Sequence, residues 1–568
     1  MPGRKRFRPV FEEGGRKAAA KGKNMTQKQK TLVGGVSVLA AAGMICKVVG
    51  VIYRIPLANT VGGEGLGLYS KVFQSYNLLL TVSSAGIPVA ISRMVSHYVT
   101  KEEEGTARRV FITALWALFA LGLIATLLLA AFSTPLAELA GAPEIGIGYI
   151  AIAPSLLLVC VMSAFRGYLQ GHRVMLPTAI SQLIEQVGKL AVALPLAVLG
   201  MNKGGPAMGA AGMLLGTSIA EGAALCFMVY AHLKEKKRRA EAGAESSLTD
   251  KKILSKLAGI AVPITIGACI VPLAGWIDSF MVTRLIEGNG VEHADALLRY
   301  GLYSSVVLSL INVPTAIAMA VSTNLVPDIS SGMAKGDMPY VRRESAAGLR
   351  MASVIGIPCS VGLCLLAKPI LYMLFLGKYT PQQLDLAAEI LRLSALTIAL
   401  FTMVQATSGI LQGCGKQRLP MYTLAAGVAC KIVLNILLIG TPSVDIHGAP
   451  IASLVCYTVS MVPNLYFVRK YTGTGLSVSD LLLRPLAASA VMGAVVWAVW
   501  RFAFGDAVLT ESRPLTLLGV ILCLGLGVAV YAVCVLLFGA VRGEDLPGAA
   551  GRAVGKLERK LFPAREKR

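Results

Sequence analysis

Apolar residues recur in long runs, separated by short polar or charged stretches, along nearly the whole chain. A run of about 20 crosses a hydrocarbon core of roughly 30 Å at 1.5 Å per residue. About fourteen runs meet that length: 32–55, 72–97, 109–132, 145–169, 178–200, 207–232, 255–282, 299–324, 347–367, 387–411, 420–440, 447–468, 482–504 and 515–540. Each predicts a transmembrane helix. Of the 568 residues, 55% are hydrophobic and only 15% charged, and the mean hydropathy is +0.66. Soluble globular domains lie well outside that range, so the expected class is an all-α polytopic membrane protein.

A formal charge of +23 invites a nucleic-acid reading, but the Lys and Arg residues stand between the runs. With the amino terminus inside, the inner segments hold about 38 of them and the outer loops about 8, a positive-inside asymmetry. Both termini are therefore expected in the cytoplasm, and nucleic acid is not expected as a partner. Residues 1–30 are basic and polar and precede a span-length run, which predicts a cytoplasmic tail rather than a cleavable signal. The basic segment 542–568 reads as a second such tail. Eleven cysteines form no CxxC pair and five histidines are scattered, so neither a disulfide nor a metal site is expected.

The charged stretch 233–256 divides the chain into halves that resemble each other. RGYLQGHRVMLP (Arg166 to Pro177) faces SGILQGCGKQRLP (Ser408 to Pro420), with one inserted residue. Downstream, MGAAGMLLG (Met208 to Gly216) faces HGAPIASLV (His447 to Val455); upstream, Arg108 and Arg109 face Arg342 and Arg343. Six spans return a chain to its starting side, so both halves enter the membrane alike and are expected to be related by a pseudo-two-fold along its normal. The expected plan is a first lobe over 31–232, a linker over 233–256, a second lobe over 257–470, and two further helices over 471–541.

A charge at mid-bilayer costs about 2.5–3.5 kcal/mol on insertion scales, so charges inside the runs mark where function should lie. Lys47 and Arg54 stand seven residues apart on one helical face, with Gly43 and Gly50 completing the stripe. Positive charge beside open space suits a bulky anion. The fifth run carries Glu185 and Lys189 at a spacing that allows them to pair. The corresponding run of the second half has one polar face, Thr423, Gly427, Lys431 and Asn435. Glu221 and Asp278 fall inside the sixth and seventh runs and, with Glu185, are the candidate ion-coupling or charge-balancing carboxylates. Arg93 lies near the cytoplasmic end of the second. Gly86, Pro88, Pro263, Pro272 and Pro314 are candidate breaks in these helices.

CKVVGVIYR in the first run, the stretch VGGEGLGLYSK read as a loop, AGIPVAISRMVSHY and the paired LQG motifs together resemble the multidrug/oligosaccharidyl-lipid/polysaccharide exporter superfamily. Within it, they resemble the branch of lipid II flippases and stage V sporulation protein B. The resemblance covers roughly residues 30 to 540. It implies two six-helix lobes around a cationic cavity, two further helices forming a groove for a lipid tail, and a place in the bacterial plasma membrane. It also implies movement of a polyprenyl-diphosphate-linked saccharide to the outer leaflet by a monomer with no resident cofactor. Lys47 and Arg54, joined by Arg93, Lys189 and Lys431, would hold the diphosphate. Sodium, a proton or the membrane potential would drive the cycle. The chain departs from that branch in LSLINVP (Leu308 to Pro314), which lacks an arginine before its proline.

Two other classes compete. A cation-coupled multidrug antiporter of the same superfamily needs an acidic cleft, which Lys47 and Arg54 do not make. A polymerase or ligase acting on polyprenyl-linked sugars needs a large outer loop with acid and base residues, and the outer loops are short.

Overall fold

The computed structural model describes residues 45–46, 49–50, 53, 55–238, 249–475, 477–506, 508–545 and 554–555. The first predicted span, both tails and the middle of the 233–256 linker lie almost wholly outside them. Helix α1 covers 55–84, α2 Ile87–Thr100, α3 Glu104–Ala131, α4 Ser133–Leu139, α5 Gly146–Gly171, α6 Leu176–Gly188 and α7 Leu194–Arg238. Next come α8 Asp250–Gly288, α9 His293–Gly301, α10 Leu308–Lys335, α11 Met338–Leu365 and α12 Ala367–Phe375. Then follow α13 Pro381–Gly413, α14 Arg418–Ile439, α15 Gly448–Thr472, α16 Arg484–Val499, α17 Val508–Glu511 and α18 Arg513–Leu537. No strand occurs among the described residues, only a bridge between Leu376 and Tyr379.

Twelve described helical segments are long and apolar enough to cross a membrane, against fourteen predicted spans. Two causes account for the difference. The first span lies outside the described residues, and the fifth and sixth fall within one segment, Leu176–Glu235, of 60 residues. That segment is broken where Gly204 and Gly205 leave helical geometry, Gly205 with φ +68°. The second span, predicted over 72–97, is corrected to two helices that part at Ala85 and Gly86. The stretch VGGEGLGLYSK is not a loop but part of α1.

The sequence repeat is a repeat of structure. In the first half α5 packs on α2, α3 and α7; in the second half α13 packs on α10, α11 and α15. The pairs α2/α3 and α6/α7 recur as α10/α11 and α14/α15. Short α4 and α12 occupy the same place in the order. The LQG motifs show why the residues repeat. A Cβ at Gly167 would lie 2.8 Å from Ile91 Cβ and 2.9 Å from the Pro88 carbonyl oxygen, and one at Gly171 2.7 Å from Val95 Cβ. At Gly409 it would lie 2.7 Å from the Ser322 carbonyl oxygen, and at Gly413 2.7 Å from Ile329 Cβ. Each half thus presents two glycines one helical turn apart so that two backbones can approach. The turn that follows repeats too. Arg173 and Gly415 occupy the same place with φ +64° and +73°, and the amides of Val174 and Lys416 donate back to Leu169 and Leu411.

For reference, the end of the bundle that carries the 233–256 linker is the linker face and the other end the far face. The halves meet near the far face. Gly67 of α1 lies against the Leu297 carbonyl of α9, and Gly301 against the Gly63 carbonyl. Here the Gly63 and Gly67 pair leaves room for a helix crossing at backbone distance. Ser70 and Ser305 hydroxyls are 2.5 Å apart, and Asn59 donates to the Leu374 carbonyl at 3.0 Å. Helix α8 is shared. Its linker-face part, Ile253, Leu257 and Ala261, is buried with α2, α3 and α5 of the first half, whereas α14 of the second half packs beside it. The last helices, α16 and α18, pack together and against α11 and α12.

Candidate functional site

The polar residues inside this apolar bundle gather in two clusters, one per half. In the first, α5 supplies Arg166, whose Nη2 donates to Glu185 Oε1 at 2.5 Å and to Ser181 Oγ at 2.8 Å. Both α6 residues face α5 because they stand one turn apart, and Arg166 draws them together. Glu221 of α7 is 3% exposed. It accepts from the Tyr76 hydroxyl at 3.0 Å, and Lys189 Nζ lies 3.8 Å from its Oε1. Glu185 and Lys189 therefore do not pair with each other as their spacing allowed. Each finds its partner on a neighbouring helix, where the desolvation cost of a buried ion is better offset.

In the second cluster, Lys431 of α14 forms a hydrogen-bonded ion pair with Asp278 of α8. Asn435, one turn on, donates to the other carboxylate oxygen at 2.9 Å. The predicted polar face of this helix does point inward. Thr423 donates to Asn464 Oδ1 at 2.8 Å, and Gly427 lies against α15, where a Cβ would come within 2.5 Å of Ser460 Oγ. Asp278 balances Lys431, and both carboxylates of the first cluster are likewise matched to cations.

Lys47 and Arg54 lie outside the described residues. Gly50, of the same predicted stripe, is described, and a Cβ there would lie 3.4 Å from Gln186 Oε1 on α6. Arg93 on α2 is exposed, with no hydrogen-bond or ion-pair partner among the described residues. The structure thus brings together Glu185, Lys189 and Glu221 in one cluster and Lys431 with Asp278 in the other. Arg93 joins neither.

Two participants escape a reading by sequence. Arg166 falls within the run 145–169, and a charge inside a span is the signal that finds it. Lys71 lies just outside the run 72–97 and so reads as a loop residue. In the structure it is 1% exposed, and its Nζ donates to the Ala140 carbonyl at 2.5 Å and to Thr283 Oγ1 at 2.7 Å. It ties α1 to α8 and to the end of α4 near the far face. No groups of three or more His, Cys, Asp or Glu suited to a metal occur among the described residues.

Residues 32–333 match the family model described as polysaccharide biosynthesis protein, and residues 263–437 match the MatE model. The lipid II flippase MurJ of Bacillus subtilis is 28% identical over 546 residues, covering 91% of this chain and 98% of that protein. Stage V sporulation protein B of the same organism is 24% identical, with 91% and 97% covered. Among solved structures, lipid II flippase MurJ in an inward closed conformation superposes with a TM-score of 0.64 at 15% identity, covering 88% of this chain and 98% of that one. A 302-residue match spanning the first lobe and the start of the second, on a bundle of paired helical halves, places the protein. The chain belongs to the polysaccharide biosynthesis protein family, as a multi-pass membrane protein that shares its fold with the lipid II flippase structure.

Proposed function

We propose that the protein is a flippase that carries a polyprenyl-diphosphate-linked saccharide, lipid II or a related envelope precursor, from the inner to the outer leaflet of a bacterial plasma membrane. The observation that carries the reading is similarity to a lipid II flippase along 91% of this chain and 98% of the relative. In this reading the linker face and both termini are cytoplasmic, the protein acts as a monomer, and the lobes rock so that their far-face contacts open and close.

The physical logic is electrostatic. A diphosphate headgroup loses its water in hydrocarbon unless fixed partners replace it. Lysine and arginine supply charge-assisted partners while the prenyl tail stays in lipid. Lys47 and Arg54 keep their role as cavity cations on the strength of their sequence, Lys47 first. Lys189 and Lys431 join them when Glu221 and Asp278 release them to an arriving diphosphate. A proton or sodium ion taken by those carboxylates would couple release to the ion gradient. No covalent step and no resident cofactor enters the cycle.

Reconstitution into liposomes with fluorescent lipid II, and separately with a non-peptide polyprenyl-diphosphate sugar, tests the reading. One of the two lipids should change leaflet, and Lys47→Ala and Arg54→Ala should abolish the movement with the protein still inserted. Normal transport by both variants removes the assignment of those cations. The MatE match over 263–437 supports a second reading, cation-coupled drug antiport, and proton- or sodium-driven dye efflux from the same liposomes would favour it.

A further inference from the structure

At the linker face, α11, the end of α15, the segment leading into α16 and the stretch after α18 border an open pocket of about 710 Å³ whose lining includes Arg342, Arg343, Arg350, Arg469, Arg542 and one acid, Asp480. Three of the five arginines have acidic partners. Arg350 donates to Asp545 at 2.5 Å, Arg542 to Asp480 at 2.6 Å, and the exposed Arg343 to its half-buried neighbour Glu344 at 3.3 Å. Arg342 and Arg469 have no acidic partner among the described residues. Gly473, held at φ +68° at the end of α15, brings the chain against the Arg342 guanidinium: a Cβ there would lie 2.9 Å from Nη2. Arg342 is thus positioned without being neutralised.

The first half provides an internal control. Arg108 and Arg109 stand where Arg342 and Arg343 stand in the second, and Arg109 is bonded to Asp250 at 3.1 Å. In the register shared by α3 and α11, fixed by the paired left-handed residues Glu102 and Gly336, Trp116 takes the place of Arg350. In the register of α7 and α15, Tyr230 takes the place of Arg469. Charges serving only to orient the chain in the membrane have no reason to concentrate in one half around a cavity. Here they do so where the segment leading into α16 closes the wall.

We infer that this pocket binds a phosphate-bearing anion at the membrane surface, at a site separate from the charged clusters inside the bundle. Guanidinium forks match phosphate oxygens two at a time. Thr474 and Ser477 line the same wall with hydroxyls. The volume is that of a pocket for an organic ligand. The anion is either the headgroup of an acidic phospholipid or a soluble phosphate compound. The inference does not depend on which lipid the protein transports.

Two double variants of the full chain test it. Arg342→Gln/Arg469→Gln removes the two unpaired charges; Lys335→Gln/Lys470→Gln removes two exposed charges of the same face that do not line the pocket. Retained phosphatidylglycerol is measured by native mass spectrometry from nanodiscs of phosphatidylcholine and phosphatidylglycerol. Pyrophosphate binding is measured by calorimetry in detergent. The first variant should lose about tenfold or more in one of the two, and the second should stay close to wild type. A loss confined to phosphatidylglycerol assigns a lipid headgroup, and a loss confined to pyrophosphate a soluble phosphate. Binding of neither probe by the wild type, no loss in the first variant, or equal losses in both variants overturns the inference.

Discussion

Asp278 shows how a buried charge inside this bundle is held. It accepts from Lys431 and Asn435 at once, so its removal strands a cation rather than merely deleting a contact. Asp278→Asn should destabilise the protein by about 3–5 kcal/mol, read as a lowered denaturation midpoint in detergent. Adding Lys431→Met should recover most of that loss, because it removes the buried cation that the first change leaves unpaired. If the double variant is as unstable as the single one, the pair is not the interaction that matters there. The sequence identifies these residues as charges within spans, but spacing along one helix cannot say which partner a charge takes. Glu185 and Lys189 have the right interval for each other, yet Arg166 and Glu221 come closer in space. Lys71 was hidden for another reason: burial of a residue at the edge of an apolar run depends on the helix before it.

Among elements, the paired LQG motifs were legible as a repeat because identical packing demands identical residues. Their purpose was not, since a glycine in sequence does not announce what presses on it. Gly171→Leu and Gly413→Leu should each drive their helix away from its partner, at a cost of about 1–3 kcal/mol or more. Gly259→Leu, on a part of α8 where a Cβ meets nothing within 4 Å, should be nearly neutral in the same thermal measurement. Comparable losses at all three positions would point to a general effect of leucine rather than helix approach. Short helices α4 and α12 are too brief for a span-length criterion to notice. The stretch VGGEGLGLYSK reads as a loop in sequence, and glycine is indeed a poor helix former in water. In a bundle the same residues let α1 and α9 touch.

For the whole molecule, the two-lobe plan was visible in composition, run length and repeat, whereas the way the halves meet was not. Their contacts near the far face must part if the proposed rocking takes place. In a background without native cysteines, Ser70→Cys/Ser305→Cys places two thiols where hydroxyls are now 2.5 Å apart. Oxidation should stop lipid movement and reductant should restore it. Transport that continues with the bond formed would rule out separation at that contact.

Helix α8 then acquires a mechanical character. Its linker-face part is packed into the core of the first lobe, and further along Asp278 and Asn289 hold it to α14. Between these anchorages stand Pro263 and Pro272, each of which removes a backbone hydrogen bond and lowers the resistance of a helix to bending. A rocking motion that kept both anchorages would have to be absorbed as flexure of this one rod. The chain would carry its own spring, with a stiffness set by two prolines.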